Sequence, residues 1–276
     1  HTIAEMILSR ACGRPVKAGD EVLAHPDFVI AYDFPGYTDV FFKEAKEEFG
    51  VDKIAKPERF VLFIDHMVPA ASPKEEELHK VTRKWGADKG VLEAFVSDDL
   101  AIKVPGTVKV EVTGTLQPGV MARDVFHHLV RVMGPASCRF KVLELCGPVI
   151  DAMSIEGRQT LCGQAMFLGA TTAIIAPDTK TLAYVKGRCK IELEPVYSDA
   201  DAHYDAVHRI DVSALEPVVV VPPSPANTRD LADYAGLEVH MGYLGSCASG
   251  RLEDLRAAAA VLKGRRIKPG FQLHVV

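Results

Sequence analysis

A continuous apolar run that stops at two polar residues most constrains the fold of this chain. The segment RFVLFIDH (residues 59–66) has five apolar residues in succession and ends in Asp65 and His66. A strand buried on both faces has this pattern, and such strands belong to parallel sheets covered by helices. We therefore expect the polar pair at the carboxyl end of a parallel strand, the edge where open α/β sheets bind their ligands.

Helical and strand patterns alternate along the rest of the chain, which predicts an α/β fold. The segment GTVKVEVTGTL alternates valines with polar residues and predicts a half-exposed strand. ARDVFHHLVRVMG and RQTLCGQAMFLGA each predict one helix, and FKVLELCG and TTAIIAPD each predict a strand. VVVVPPSPANT (residues 218–228) predicts a strand that runs into a proline-rich link at a domain boundary. A strand, a turn, a helix and a strand follow.

Charge and cysteine spacing restrict the function and the compartment. The net charge is −5, which argues against nucleic acid or an anionic membrane as the main partner. The N-terminal stretch has charged residues inside its apolar part and is a poor signal peptide. The six cysteines include no C-x-x-C pair, so they predict neither a disulfide framework nor a complete metal site. We expect a reducing, cytoplasmic compartment.

The segment GSCASGRLEDLR (residues 245–256) places Cys247 alone at a turn between a predicted strand and a predicted helix. Free amide groups and the helix dipole at such a turn favour the thiolate. Three interpretations stay open for Cys247 on this pattern: a thiol that fills a tight turn, a nucleophile, and a metal or cluster ligand. The nucleophile would need a base from elsewhere in the fold, because the local stretch contains none.

Two further stretches carry candidate site residues. A carboxylate beside an imidazole can raise its pKa and orient it, so Asp65 and His66 are candidates for proton transfer if the strand breaks there. Tyr32 and Asp33 end another predicted strand, where they are candidates for the same cleft or members of a simple turn. Four scattered histidines are predicted to be surface or capping residues: His127, His128, His203 and His208.

Six stretches resemble, in order, the aconitase and 3-isopropylmalate dehydratase large-subunit family, and the bacterial isopropylmalate dehydratase branch looks most similar. The resemblance covers nearly the whole chain, and its most specific parts are GSC-x-x-GR-x-EDLR and KVP-x-T-x-KV. The stretches are TIAEMILSRACGR, DHMVPA, KVPGTVKVEVTG, LCGQAMFLGATTAIIAPDTKTLAYVKGR, IDVSALEPVV and GSCASGRLEDLRAAAAVLKGR.

The resemblance implies aconitase-like three-layer αβα domains with mixed sheets. The expected divisions are residues 1–104, an incomplete first domain, residues 105–217, and residues 218–276, the start of a third domain. It also implies a hydro-lyase that acts on a malate-type 2-hydroxy di- or tricarboxylate through a 4Fe–4S cluster, with a separate small subunit as partner.

The family's site residues carry over to positions of this chain only where its motifs match. Cys247 matches the first cysteine ligand of the cluster, and Asp65 and His66 match a catalytic ion pair. The strand end with Tyr32 and Asp33 matches a region that contacts substrate.

The chain also departs from the family pattern. A segment with further histidines is missing between GVLEAF and KVPGT, and the C-x-x-C that supplies the other cluster ligands is not present. Gly163 and Phe167 stand where the family has an asparagine and an active-site glutamate, and Ser249 also replaces an asparagine. Two explanations stay open. The sequence omits segments of a longer polypeptide, which the abrupt join between GVLEAF and KVPGT favours, or the chain is shortened and inactive.

A second class of function stays open on this scaffold: a cluster-free binding or regulatory protein. Some aconitase relatives regulate RNA when the cluster is absent, although the acidic charge of this chain weighs against RNA. The loss of polarity at Gly163 and Phe167 predicts a substrate with fewer oxygen atoms than citrate.

Overall fold

A computed structural model describes residues 1–32, 46–48, 50, 56, 59–63, 70, 72–89, 100–190, 192–246 and 248–276, with the backbone alone for Tyr32, Leu62 and residues 83–89. These residues divide into two compact units, residues 7–104 and residues 1–6 together with 105–276. The prediction of three domains stays a prediction. A membrane-spanning helix needs about 20 apolar residues, and no helix within the described ranges has that length and hydropathy.

The first residues of the chain form a capped helix, α1 (Ile3–Cys12). The amide of Thr2 donates to Oε2 of Glu5 at 2.8 Å, and the amide of Glu5 donates to Oγ1 of Thr2 at 3.3 Å. This reciprocal pair is a capping box, which satisfies two of the amides that a helix start leaves unpaired. The helix therefore begins at Ile3 with its start stabilised by these two side chains.

Among its described residues, the unit of residues 7–104 contains two strand pairs and one long helix after the end of α1. Its small apolar core groups Val16, Val22 and Val104. The first strand pairs with the fourth in antiparallel fashion, and the second pairs with the third in parallel. The elements are β1 (Glu21–Ala24), β2 (Val29–Tyr32), β3 (Phe60–Phe63), α2 (Pro73–Lys89) and β4 (Leu100–Lys103).

The apolar run at residues 60–63 forms the expected parallel strand, β3, beside β2. Its burial differs from the expectation, because Phe63 is about half exposed and Ile30 on β2 is also exposed. Within the described ranges this sheet has two strands. The parallel pairing is confirmed, whereas burial on both faces is not observed.

A four-stranded parallel sheet organises the larger unit. Its strands are β5 (Thr107–Thr113), β6 (Val142–Cys146), β7 (Thr172–Ile175) and β8 (Ala206–Asp211), in the spatial order β7-β6-β5-β8. The valines of β5 are buried and alternate with half-buried polar residues, as the sequence pattern predicts. All three neighbouring pairs are parallel, which confirms the α/β class.

Helices pack their apolar faces on this sheet. The most amphipathic is α3 (Ala122–Met133), which buries Val125, Phe126, Leu129 and Val130 in the main core. These positions recur every three to four residues and therefore form one face of the helix. The helices that follow are α4 (Pro148–Ala152), α5 (Ile155–Gly163) and α6 (Thr179–Lys186).

The single helix predicted over residues 158–170 is two elements in the structure. Helix α5 ends at Gly163, and a separate 3-10 turn covers Ala165–Leu168. Gly163 has the low helix propensity of glycine, and Gly169 closes the turn in the left-handed conformation with φ of 74°. The break matters for function, because Phe167 lies on the 3-10 turn and not on the helix.

The proline-rich stretch predicted as a link is the turn of a hairpin. Strand β9 (Val218–Val220) pairs with β10 (Thr228–Asp230) in antiparallel fashion. The amide of Val218 donates to Oδ1 of Asp124 on α3 at 2.9 Å, which fixes the hairpin to that helix. The prolines lie in the connection between the strands, where no ladder amide is required.

The last residues form a parallel strand–helix–strand unit. Strand β11 (Met241–Leu244) is followed by α7 (Leu252–Leu262) and β12 (Gln272–Val275), and the two strands pair in parallel. This is the order that the sequence predicts. The turn between β11 and α7 contains Cys247, which is outside the described residues.

Candidate functional site

The structure leaves most of the predicted site residues untested. Asp33, Asp65, His66 and Cys247 lie outside the described residues, and the backbone of Tyr32 forms the last position of β2. In the register of β2 and β3, Tyr32 is opposite Phe63, so the two parallel strands end at the same level. The roles assigned to these five residues stay predictions.

The larger unit contains a groove with a volume of about 1270 Å³. One wall is the start of α3 with the 3-10 turn of Phe167, and a second wall is strand β9 with the prolines after it. The third wall is the turn after β11 and the inner side of α7. The lining residues are Gly119, Val120, Met121, Arg123, Asp124, His127, Phe167, Val218, Val219, Val220, Val221, Pro222, Pro223, Ser224, Pro225, Tyr243, Leu244, Gly245, Ser246, Ser249, Gly250, Asp254, Ala257, Ala258 and Val261.

The turn that precedes Cys247 is tightly constrained. A Cβ atom on Gly245 would lie 2.4 Å from the carbonyl oxygen of Val276, and one on Gly250 would lie 2.9 Å from that oxygen. Both glycines also have positive φ, so the close approach of the chain requires glycine at each position. Ser246 has φ of 100°, which is uncommon for a residue with a side chain. Such strain is concentrated at functional sites, and here it is adjacent to the candidate thiol.

A hydrogen bond joins this turn to α3 across the groove. Nη1 of Arg123 donates to Oγ of Ser249 at 2.6 Å. The Arg123 guanidinium makes no ion pair with a carboxylate in the part of the chain that the structure describes. Since a guanidinium has five N–H donors, several of them remain for another acceptor.

The two carboxylates that line the groove are already engaged by backbone amides. Asp124 accepts from the amides of Met121 at 2.8 Å and of Val218 at 2.9 Å. Asp254 accepts from the amide of Arg251 at 3.1 Å, at the start of α7. Among the charged groups that the structure describes in the groove, the guanidinium of Arg123 is therefore the one with donors left for an anionic ligand.

His127 is buried, which corrects the prediction that it is a surface or capping residue. Only 5% of the residue is exposed, and neither ring nitrogen has a hydrogen-bond partner among the described residues. Burial lowers the pKa of His127, Arg123 lowers it further, and Asp124 opposes the shift. The imidazole is therefore neutral at pH 7, with one N–H donor and one acceptor.

The position of His127 in the sequence indicates that it is buried, although the residue is polar. His127 is four residues after Arg123 and three before Val130, so the three residues share one side of α3. His128 faces elsewhere, and its Nδ1 contacts Nη2 of Arg131 at 3.1 Å. The adjacent histidines thus have different environments, as neighbours on a helix must.

Phe167 lies beside the imidazole. The two ring centroids are 6.0 Å apart with an interplanar angle of 37°, and Phe167 also packs against the main core. The groove therefore has an apolar ring at the position where the resemblance places a glutamate. Gly163 differs in this respect, because a Cβ atom there would have no neighbour within 4 Å.

The described cysteines do not form a cluster site. Burial raises the pKa of Cys138, Cys146 and Cys162, the last to about 11, so these groups stay thiols. No three potential metal-ligating side chains come together within the described ranges. The residues that the structure describes therefore supply no ligand set for a 4Fe–4S cluster, and Cys247 is the candidate that remains.

Comparison with known proteins gives the family. The profile described as "Aconitase family (aconitate hydratase)" matches residues 85–237, more than half of the chain. The chain belongs to the aconitase family. A "3-isopropylmalate dehydratase large subunit 1" of Methanopyrus kandleri is 35% identical over 327 positions, which cover 100% of this chain and 78% of that protein.

Two other relatives agree with this membership of the aconitase family. A protein of Pyrococcus furiosus with the same description is 35% identical over 331 positions, covering 100% of this chain and 77% of its own length. The "3-isopropylmalate dehydratase large subunit" of Elusimicrobium minutum is 32% identical over 325 positions, covering 99% and 77%. The expected family and the expected enzyme class, a hydro-lyase, are confirmed.

The alignments also bear on the departures from the aconitase family pattern. Each extends over at least 325 positions, whereas this chain has 276 residues. The relatives therefore contain residues, within the aligned region, that this chain lacks. Their presence agrees with the missing segment that the motif comparison predicts.

Proposed function

We propose that this chain is the large subunit of a dehydratase that acts on a small 2-hydroxy dicarboxylate of the malate type. The observation that carries the proposal is the groove of the larger unit, in an aconitase-family chain. It combines a guanidinium that has no ion-pair partner among the described residues, a buried neutral imidazole and serine hydroxyls with an apolar wall. These groups suit an acid that combines carboxylates with an apolar part.

The reaction removes water across two neighbouring carbon atoms. A base takes the proton from one carbon, and an acid protonates the hydroxide that leaves the other. By resemblance, His66 protonates the leaving hydroxide, and Asp65 orients the imidazole of His66. Tyr32 and Asp33 would contact the substrate on the same grounds. Phe167 cannot serve as the base, because its ring carries no titratable group, so the base must be supplied by another residue.

We also propose that Cys247 is the first ligand of a 4Fe–4S cluster. The strained residue Ser246 is adjacent to Cys247 in the sequence, and strain of this kind is concentrated at functional sites, which supports a role as ligand. The described residues supply no further ligands, so no step of the reaction is assigned to the cluster. The relatives' description as large subunits supports a separate small subunit as partner.

The test is an assay of the full chain, treated anaerobically with iron and sulfide, with 3-isopropylmalate and malate as substrates. We expect the absorbance of an unsaturated diacid to appear with at least one of them, and to be lost in His66→Asn. The same assay is repeated with the small subunit encoded by the same organism. The absence of turnover with every acid, both alone and with that subunit, would refute the proposed function.

One observation favours a second candidate, a binding protein on the same scaffold. Phe167 removes the carboxylate that the family places there, and a chain that binds an acid without converting it needs no such group. Calorimetric binding of 3-isopropylmalate without any product would support this alternative. Product formation would exclude it.

A further inference from the structure

The burial of the His127 imidazole without hydrogen bonds costs free energy. A buried polar atom without a hydrogen bond costs about 1–3 kcal/mol, and both ring nitrogens of His127 are in this condition among the described residues. The side chain is part of the groove lining, so a molecule bound there lies next to it. A ligand that forms hydrogen bonds with the ring would remove this cost.

The charge next to His127 indicates the kind of ligand. Arg123 is one helical turn earlier on α3 and lines the same groove. Its guanidinium lacks an ion-pair partner within the described residues, while Asp124 and Asp254 are occupied by backbone amides. An anionic group near His127 would therefore meet the positive charge of Arg123, which has no ion-pair partner among the described residues and acts against the negative charge of the neighbouring Asp124.

The surface around these two groups is apolar. Phe167 lies against the imidazole, and Val218, Val219 and Val220 of β9 form the adjacent wall. A ligand that places a carboxylate at Arg123 and His127 must therefore place an apolar portion on this wall. A compact acid that is charged on every side would leave one of its charges against these side chains, which is unfavourable.

We infer that His127 is a substrate-binding residue, whose neutral imidazole donates a hydrogen bond to a carboxylate oxygen of a small hydroxy acid while Arg123 supplies the adjacent positive charge. Phe167 is a positioning residue, because its ring holds the imidazole against the wall. The inference rests on the proposed function in taking this groove as the substrate site.

The experiment compares variants at the two adjacent histidines. His127→Leu removes both polar atoms, His127→Gln keeps a donor and an acceptor, and His128→Leu is the matched control on the other side of α3. The probe is 3-isopropylmalate, titrated into the full chain by calorimetry. Thermal unfolding of each variant shows whether it is folded.

We expect His127→Leu to weaken binding of 3-isopropylmalate by at least about tenfold, since a hydrogen bond to a charged group contributes about 1.5–3 kcal/mol. His127→Gln should stay within about threefold of the original chain on the same grounds, and His128→Leu should match it. A purely structural role for His127 would instead lower thermal stability without this rescue by glutamine.

A second readout does not depend on any variant. In the unaltered chain labelled with ¹⁵N-histidine, the ring nitrogen signals of His127 should shift when 3-isopropylmalate is added, and those of His128 should not. Unmoved His127 signals at saturation would overturn the inference even if His127→Leu fails to fold. A chain that binds no 3-isopropylmalate and converts neither acid loses the proposed function as well, whereas binding unaffected by His127→Leu overturns this inference alone.

Discussion

The imidazole of His127 and the ring of Phe167 lie with their centroids 6.0 Å apart on one wall of the groove. Because the neighbour is a phenyl ring and not a carboxylate, nothing at this contact stabilises a protonated imidazole. Burial and the charge of Arg123 then keep the pKa of His127 below its ordinary value. The phenylalanine, which stands where the resemblance places a glutamate, thus affects the chemistry of both residues.

Phe167→Glu should restore the family's residue and impair this protein. The new carboxylate would raise the pKa of His127, since an opposite charge nearby favours the protonated ring. Placing it in a half-buried apolar position should also cost about 1–3 kcal/mol of unfolding free energy. We expect lower turnover of the native substrate, and an upward shift of the His127 pKa in an NMR titration.

The matched control for this substitution is Met166→Glu, because Met166 is adjacent and 71% exposed. It should leave both the pKa of His127 and turnover unchanged. Improved turnover in Phe167→Glu would show that the groove has kept its need for a carboxylate.

A second prediction concerns Asp178, which caps α6 and pairs with a buried arginine. Oδ1 of Asp178 accepts from the amide of Thr181 at 2.8 Å, and its Oδ2 accepts from Nη2 of Arg158 at 2.5 Å. The Arg158 side chain is 6% exposed. Asp178→Ala should lower the unfolding free energy by about 2–3 kcal/mol, because it removes a cap and leaves a buried charge unpaired.

The control is Asp230→Ala, which removes the exposed partner of Arg131. An exposed pair contributes at most about 1 kcal/mol, so this change should be small. Urea unfolding at pH 7 measures both. Equal losses for the two variants would contradict the role assigned to the buried arginine.

The carboxylate of Asp178 also makes the unfolding free energy depend on pH in the acid range. Hydrogen bonds from Arg158 hold the pKa of Asp178 well below its usual range, with further bonds from Thr181 acting in the same direction. The unfolded chain therefore takes up this proton first, at about pH 3.9. The stabilisation is fully present above that pH and is lost as the pH falls below it.

The measurement is urea unfolding of the chain and of Asp178→Asn at pH 6, 4 and 3. The chain should lose more unfolding free energy between pH 4 and pH 3 than the variant does, because asparagine cannot titrate. Parallel losses would assign the acid sensitivity to other groups.

The sequence predicts the fold well wherever a pattern is periodic. The structure agrees with three of these predictions. They are the strand β5 with its alternating valines, the helix α3, and the strand, helix and strand at residues 241–275. Long patterns of this kind are decided by burial, which acts on every residue in the element. Strands β5, β6 and β7 of this sheet are therefore predicted by their own patterns, whereas β8 is not.

The exceptions are positions where tertiary contacts outweigh the local pattern. The proline-rich stretch forms a hairpin because Asp124 on α3 binds the amide of Val218, a contact between residues 94 positions apart. His127 is buried because its side of α3 faces the groove. A polar residue in a sequence does not by itself indicate burial of this kind. The family motif points to Cys247, whose role stays a prediction, whereas no motif points to Arg123 and His127, and only the spacing along α3 indicates that His127 is buried.

The last prediction concerns Cys247, for which three interpretations are open. A thiol that only fills the turn would tolerate serine at a cost of about 1–2 kcal/mol and leave activity intact. A cluster ligand would not, because the hard oxygen of serine is a poor match for iron–sulfur chemistry. We expect Cys247→Ser to fold normally but to lose iron and sulfide binding and hydro-lyase activity together.

The control is Cys189→Ser, which changes a partly exposed free thiol and should retain both. Iron and acid-labile sulfide content, absorbance near about 400 nm, thermal unfolding and turnover are measured on each protein after the same anaerobic treatment. A nucleophile predicts a third pattern, in which Cys247→Ser loses turnover but keeps iron and sulfide. If Cys247→Ser retains full activity, the family motif has no catalytic meaning in this chain.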